Sequence, residues 1–279
     1  MSRHSEYVVD GGVAIVTGAA GGIGSALSER LVRDGSNILL VDQDSDRLEE
    51  VAARLRLRRP DRRVTSLAID LTAEGAPEAV VDRGLVDHGR ITLVVNNAGV
   101  ALAGRFEQVS MDDVDWLLNI NLRSVLAVTS AALPHLSRGA HITNISSLFG
   151  IIAPVGNATY SASKFGVRGF SMALRSELAP RGIGVTTVHP GGIRTAIAAR
   201  ARRGVGVSAA EWEVGQRAFE RFLVMDPVLA ARKIAHATVH RRARVLIGTD
   251  AVAGDLLARI APSGHAAVFE YIARKRAGL

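Results

Sequence analysis

Only three tyrosines occur in this 279-residue chain, and only three lysines. Two of each fall four residues apart: Tyr160 with Lys164, and Tyr271 with Lys275. On a helix that spacing puts both side chains on one face, and an ammonium beside a phenol favours the phenolate. An isolated tyrosine, with a pKa of about 10, is a poor base at neutral pH. A neighbouring cation brings it toward the range useful for general acid–base work. Ser147 lies thirteen residues before Tyr160, just past a predicted strand at His141 to Ile145, and its hydroxyl can hold the oxygen of an alcohol or a carbonyl; Ala258 stands at the same offset before Tyr271. The first pair is therefore read as functional, and the second as part of a surface helix in the C-terminal tail.

The elements that must carry these residues begin with Val13–Gly24. The β-branched run Val13–Thr17 gives way to glycines at 18, 21, 22 and 24, then to a helical stripe of Ile23, Leu27 and Leu31. This predicts a strand, a tight turn and a helix over about Ile23 to Asp34. Glycine permits positive φ and close backbone approach, and the helix start offers unpaired N–H groups, so a pyrophosphate fits there. A second strand, Asn37 to Val41, ends at Asp42, eighteen positions after Gly24. A carboxylate there can accept from the ribose hydroxyls of an adenosine and repels a 2′-phosphate, which favours NAD over NADP. Asp42 could instead cap the next helix, a task open equally to Asp44 or Ser45.

Further strands are predicted at Val64 to Ile69, ending at Asp70, at Ile91 to Val95, running into Asn96-Asn97-Ala98-Gly99, and at His141 to Ile145. Gly184 to Val188 is followed by His189-Pro190-Gly191-Gly192-Ile193-Arg194-Thr195, and Arg244 to Ile247 forms a seventh strand. Ser110 and Asp113 resemble a capping box that opens a long helix to about Leu133, with the polar Asn121 inside it, an amide expected to be satisfied by a bend in its own helix. The alternation predicts a doubly wound, Rossmann-type α/β fold: a parallel sheet of order 3-2-1-4-5-6-7, helices on both faces, and ligands at the strand carboxyl ends.

Taken together, Thr17-Gly18-x3-Gly22-Ile23-Gly24, Asn96-Asn97-Ala98-Gly99, Asn121, Ser147, Tyr160-x3-Lys164 and Pro190-Gly191 resemble the short-chain dehydrogenase/reductase family over residues 12 to 250. The resemblance implies Tyr160 as acid/base, Ser147 orienting the substrate oxygen, Lys164 tuning Tyr160 and holding a nicotinamide ribose, and Asn121 supporting a relay water. It also implies coenzyme contacts at Gly18, Gly22, Ile23, Gly24, Asp42, Asp70, Asn97, Gly99 and Pro190, with Ile193 and Thr195 near the carboxamide. His189 departs from the asparagine often found there and is given no catalytic role. Family members pair as homodimers or homotetramers through the helices carrying Asn121 and Tyr160.

Composition narrows the remainder. The net charge is +7, but the arginine clusters at 54–63, 200–203 and 241–244 have no interleaved aromatics, so a solvated surface is expected rather than a nucleic-acid partner. No metal set is predicted. No apolar run of the length needed to span a bilayer is seen, and the N-terminal segment reads as neither signal peptide nor anchor, which with the absence of cysteine points to the cytoplasm. Residues 1–10 are expected to be mobile, 11–250 to form one domain, and 251–279 to extend beyond it. Residues 195–225 are expected to cover the substrate. Their Ile197, Trp212, Val214, Phe219, Phe222, Leu223 and Met225 suit either a pocket for a lipophilic alcohol or ketone or an ordinary amphipathic helix. The expected function is an NAD-dependent secondary-alcohol dehydrogenase or ketone reductase. An NADPH-linked 3-oxoacyl reductase and a dinucleotide sensor without turnover are the alternatives.

Overall fold

In the strands, alternate residues belong to opposite faces, and here both faces are buried. Ala14, Val16, Ile38 and Leu40 pack into one apolar cluster with Leu27, Leu31 and Ile234, whereas Ile15, Leu39 and Val41 pack into another with Val80, Val128 and Leu174. A strand buried on both faces belongs inside a helix-covered parallel sheet. Truncating a fully buried member such as Ile15 or Leu39 to alanine would cost about 2–5 kcal/mol.

The computed structural model describes residues 6–264. Its sheet contains β1 Val13–Thr17, β2 Asn37–Asp42, β3 Val64–Ala68, β4 Leu93–Asn96, β5 His141–Ile145, β6 Gly184–Pro190 and β7 Arg244–Ile247. All neighbours run parallel in the order 3-2-1-4-5-6-7. One face carries α1 Gly22–Arg33, α2 Ser45–Arg58 and α8 Pro227–Val239; the other carries α3 Ala76–His88, α5 Ser124–Ala132 and α6 Ala158–Leu178. The strand order reverses between β1 and β4, opening a crevice at their carboxyl ends.

Three expectations are corrected. The N-terminal segment is pinned from Glu6 onward: Tyr7 is buried, its N–H donates to Val239 O at 2.8 Å, and its hydroxyl bonds Thr92 Oγ1 at 2.9 Å. The boundary at 250 falls inside helix α9, Thr249–Ile260, whose Gly254 packs on Leu148 and whose Asp255 is buried; Tyr271 and Lys275 lie outside the described residues. The long helix begins as α4, Met111–Leu118, capped reciprocally by Ser110 and Asp113, but passes through a π turn at Asn119–Arg123 before α5. By length and composition Met111–His135 could cross a membrane, yet Val114, Leu117, Val125, Val128 and Ala132 are buried in the fold.

The basic cluster at 54–63 is matched locally by acids. Arg56 pairs with Glu49 at 2.5 Å, Arg58 with Glu29, Arg59 with Asp61 at 2.8 Å and Arg62 with Asp10 at 3.1 Å.

Candidate active site

The glycine turn is a cradle that side chains would fill. Gly18 adopts φ +65°, a Cβ on Gly24 would stand 2.1 Å from Gly18 O, and one on Gly22 would meet Thr195 Cγ2 at 2.7 Å. β4 braces the turn: Asn97 Nδ2 donates to Thr17 O and Gly18 O at 3.0 and 3.1 Å, while Thr17 Oγ1 accepts from the N–H groups of Asn97 and Ala98. The Asn97 Nδ2 group is thus spent on the turn's shape. Asp42 accepts from Ala20 N at 3.0 Å and from Asp44 N at 3.1 Å. Asp44, rather than Asp42, caps α2, accepting from Arg47 N. Asp70 lies exposed beyond β3 and holds Thr72 through its N–H and hydroxyl at 2.9 and 2.8 Å.

Ser147, Tyr160 and Lys164 converge from β5 and the first turns of α6. Ser147 and Tyr160 line the same cleft, where the Ser147 hydroxyl favours the phenolate. Lys164 Nζ lies 5.8 Å from the Tyr160 ring centroid and donates to Ile145 O at 3.3 Å. The expected electrostatics need correction. Burial pushes the Tyr160 phenol up, opposed by the Ser147 hydrogen bond, and burial pulls Lys164 down to about 8. Enclosure penalises both charged forms, and that outweighs the attraction expected from the spacing.

Asn121 is fully buried, and its partners are not in its own helix. Its Oδ1 accepts from Val100 N at 2.8 Å, and its Nδ2 donates to Val100 O at 2.9 Å and Ser163 Oγ at 3.3 Å. Gly99 sits between the groups, since a Cβ there would lie 3.2 Å from Lys164 Nζ and 3.3 Å from Asn121 Oδ1. The π turn, a feature common at functional sites, is where Asn121 leaves the helical ladder to clasp the loop after β4.

Two cavities meet at Tyr160. A cleft of about 100 Å3 is lined by Ile23, Gly99, Ser147, Lys164, Ile193 and Thr195, among others. A larger cavity of about 520 Å3 lies between the loop after β4, residues 154–157 and helix α7, Ala209–Phe222. Phe149, Tyr160, Phe219 and Phe222 line both. No residue of α7 is fully buried; Trp212, Phe219 and Phe222 line the cavity, Phe222 also packing against Leu148 and Ile152, whereas Ile197 and Leu223 line the cleft, Val214 is exposed and Met225 packs on the core. Around α7, residues 192–194 return to Met225 through Arg194 N to Met225 O and Met225 N to Gly192 O.

Two anchors stand at the β6 end: Asp250, which the sequence did not point to, and His189, which it marked only as unusual. Asp250 Oδ2 accepts from Gly192 N at 2.6 Å and would clash with any Cβ on Gly191, so it fixes the turn after Pro190. His189, fully buried, has Nδ1 2.9 Å from Ser147 O. For Asp250 no signal was available; for His189 its place beside Pro190-Gly191 was one.

Residues 12–206 match the family model described as short chain dehydrogenase. This chain belongs to the short-chain dehydrogenase/reductase family. The SadH protein of Mycobacterium tuberculosis is 38% identical over 262 residues, covering 92% of this chain and 93% of its own. D-threitol dehydrogenase of Mycolicibacterium smegmatis is 35% identical, covering 68% and 73%. Among solved structures, a short-chain dehydrogenase/reductase of Burkholderia phymatum in complex with NAD superposes with TM-score 0.84 at 25% identity, covering 92% and 95% of the two chains. One of Burkholderia cenocepacia in complex with NADP gives 0.74 at 28%, covering 88% and 99%. The short-chain dehydrogenase/reductase described here is thus an NAD(P)-dependent oxidoreductase.

Proposed function

We propose that the enzyme interconverts a lipophilic secondary alcohol and its ketone, using NAD. The observation that carries this reading is the position of Tyr160, which opens on one side to the cleft of Ser147 and Lys164 and on the other to the apolar cavity under α7.

The crevice suits a dinucleotide. Gly18, Gly22 and Gly24 leave room for a pyrophosphate, Ile23 and Gly99 flank the cleft, and Asp42 stands where an adenosine ribose would be received. Lys164 would hold the nicotinamide ribose, with Pro190, Ile193 and Thr195 lining the same cleft; Asn97 would act through the turn it braces, and Asp70 would serve the adenine. When bound, the nicotinamide supplies the hydride acceptor or donor. Ser147 holds the substrate oxygen, and Tyr160 takes the hydroxyl proton as the carbinol hydride departs, leaving a ketone; reduction reverses each transfer. Asn121 fixes the loop beside Lys164 and supports the water through which Tyr160 recovers its charge state.

A substrate with apolar bulk suits the cavity wall of Trp212, Phe219 and Phe222, while Arg105, Gln108 and Glu211 stand where a polar end could be met. Asp42 disfavours an NADPH-linked 3-oxoacyl reductase, and the assembled Ser147, Tyr160 and Lys164 disfavour a sensor. A cytoplasmic homodimer or homotetramer completes the proposal. Screening alcohols and ketones with NAD(H) and NADP(H) at the nicotinamide absorbance band tests it. Turnover with NAD and medium-chain 2-alkanols is expected. Tyr160→Phe should abolish it while leaving NADH binding within about twofold; ordinary turnover by that variant would refute the assignment.

A further inference from the structure

We propose that His189 is a positioning residue whose imidazole Nδ1–H holds the Ser147 main-chain carbonyl and thereby aims the Ser147 hydroxyl at Tyr160. The proposal rests on the roles given above to Ser147 and Tyr160, so its test includes a measurement that needs neither substrate nor coenzyme.

The bond has one possible direction. A carbonyl only accepts, so Nδ1 carries the proton, and its 2.9 Å separation from Ser147 O is that of a good hydrogen bond. His189 is completely enclosed, and burial pulls it down to about 4, so the ring is neutral at working pH and the tautomer is set by this contact. Nε2 is buried with no hydrogen-bond partner. An unpaired buried acceptor is costly, and an apolar residue of similar size would avoid it; the donor at Nδ1 is what the position requires.

Ser147 needs such a tie because it lies just past the sheet. Beyond the β5–β6 ladder, Ser146 N still donates to Val188 O at 2.8 Å, and the His189 side chain then reaches Ser147 O. Ser147 is extended, at φ −163° and ψ 167°, and caps the short turn Leu148–Gly150, its Oγ accepting from Phe149 N at 3.1 Å. Rotating the Ser147 carbonyl changes ψ, and that moves Phe149 N relative to Oγ. Holding the carbonyl therefore holds the turn and the hydroxyl together.

Side-chain reach decides which substitutions could keep the contact. In histidine Nδ1 is bonded to Cγ, and in asparagine Nδ2 is bonded to Cγ, so both place a donor at the same reach from the main chain. Glutamine carries its amide one bond farther out, and leucine has none.

The test uses chain labelled with 13C at tyrosine Cζ, which reports the hydrogen bonding of each phenol at neutral pH; loss of one resonance in Tyr160→Phe assigns Tyr160. His189→Leu and His189→Gln should move the Tyr160 resonance in the direction of Ser147→Ala, adding His189→Leu to Ser147→Ala should move it no further, and His189→Asn should leave it in place. With NADH and 2-decanone, His189→Leu and His189→Gln should lower kcat by about tenfold or more, with NADH affinity within about twofold, and His189→Asn should restore turnover. A Tyr160 resonance unmoved in both His189→Leu and His189→Gln, or moved equally in His189→Asn, would overturn the proposal. Absence of turnover by the unaltered enzyme would count against the assigned reaction and leave the resonance measurement to decide the role of His189; should His189→Leu not fold, His189→Gln carries the comparison.

Discussion

Arg200 Nη2 stands 3.0 Å from Asp44 Oδ2, joining the segment that follows β6 to the N-cap of α2. Thr195, five residues earlier, packs against Gly22. The segment therefore runs above the glycine turn and is clasped at the rim where Asp42 ends β2. Arg200→Gln, or Asp44→Ser, which keeps a capping hydroxyl, should raise the NADH dissociation rate by about two- to fivefold at low ionic strength. In molar salt the variants and the unaltered enzyme should converge, because screening weakens an exposed pair. Stopped-flow NADH fluorescence reads both, and unchanged rates at low salt would show that the pair does not retain coenzyme.

Lys164 should give coenzyme binding a limit on the alkaline side. Its folded pKa, about 8, lies below the ordinary 10.5. The folded chain thus binds fewer protons than the unfolded chain between those values, so this residue makes stability rise with pH across that window, the burial penalty being greatest below pH 8. Binding runs the other way, because a ribose held by an ammonium is released as the proton leaves. NADH affinity measured by calorimetry should be level below about pH 8 and fall above it. Lys164→Met should bind at least about tenfold more weakly and lose that pH dependence.

Acid should destabilise the fold through histidines buried uncharged. Burial pulls His141 to about 3 and His189 to about 4. Both folded values lie below the ordinary 6.5, so the unfolded chain takes up protons first and stability falls as pH drops from about 6.5 toward 4. Each group contributes on the order of 2 kcal/mol of loss at about pH 5. Urea midpoints should fall over this range, and His141→Gln should flatten the dependence; an unchanged slope would place the acid sensitivity elsewhere.

An apolar face on the helices carrying Asn121 and Tyr160 suits a second copy of this chain. Leu126 on α5 and Phe165 and Met172 on α6 are exposed, with Gly169 between the latter two allowing close approach. A twofold axis would set this face against itself. Phe165→Glu combined with Met172→Glu should shift the mass seen by light scattering toward 29.5 kDa. An unchanged mass would place any subunit contact on another surface.

Much of the fold was legible because strands such as Asn37–Asp42 are short apolar runs bounded by turn residues, and inner helices show a buried stripe, as at Leu48, Val51, Ala52 and Leu55. The residues at the cleft were legible because their spacing fixes them relative to strand ends. What was not legible depends on tertiary enclosure. The partners of Asn121 come from the loop at Val100, the charge balance of Tyr160 from burial, and the fixing of Gly192 from Asp250, fifty-eight residues away. Tyr7 looked mobile because a seven-residue polar lead says nothing of Thr92, its partner eighty-five positions later.

The cavity under α7 makes substrate length adjustable at one position. Gly215 lines the cavity, and a Cβ there would meet no heavy atom within 4 Å, so a side chain can begin there without a backbone clash. Replacing a helical glycine with a residue bearing a side chain also removes a cost of roughly 0.5–1 kcal/mol, so stability should not fall. Gly215→Phe should occupy space that the apolar tail of a long ketone would use, raising KM for 2-tetradecanone by about tenfold or more. For 2-butanone, KM should stay level or decline, and kcat should hold because Ser147 and Tyr160 are not displaced. Initial rates over a 2-alkanone series read the shift directly. A uniform loss at every chain length would mean that α7 supports the fold around Tyr160 instead of bounding the substrate.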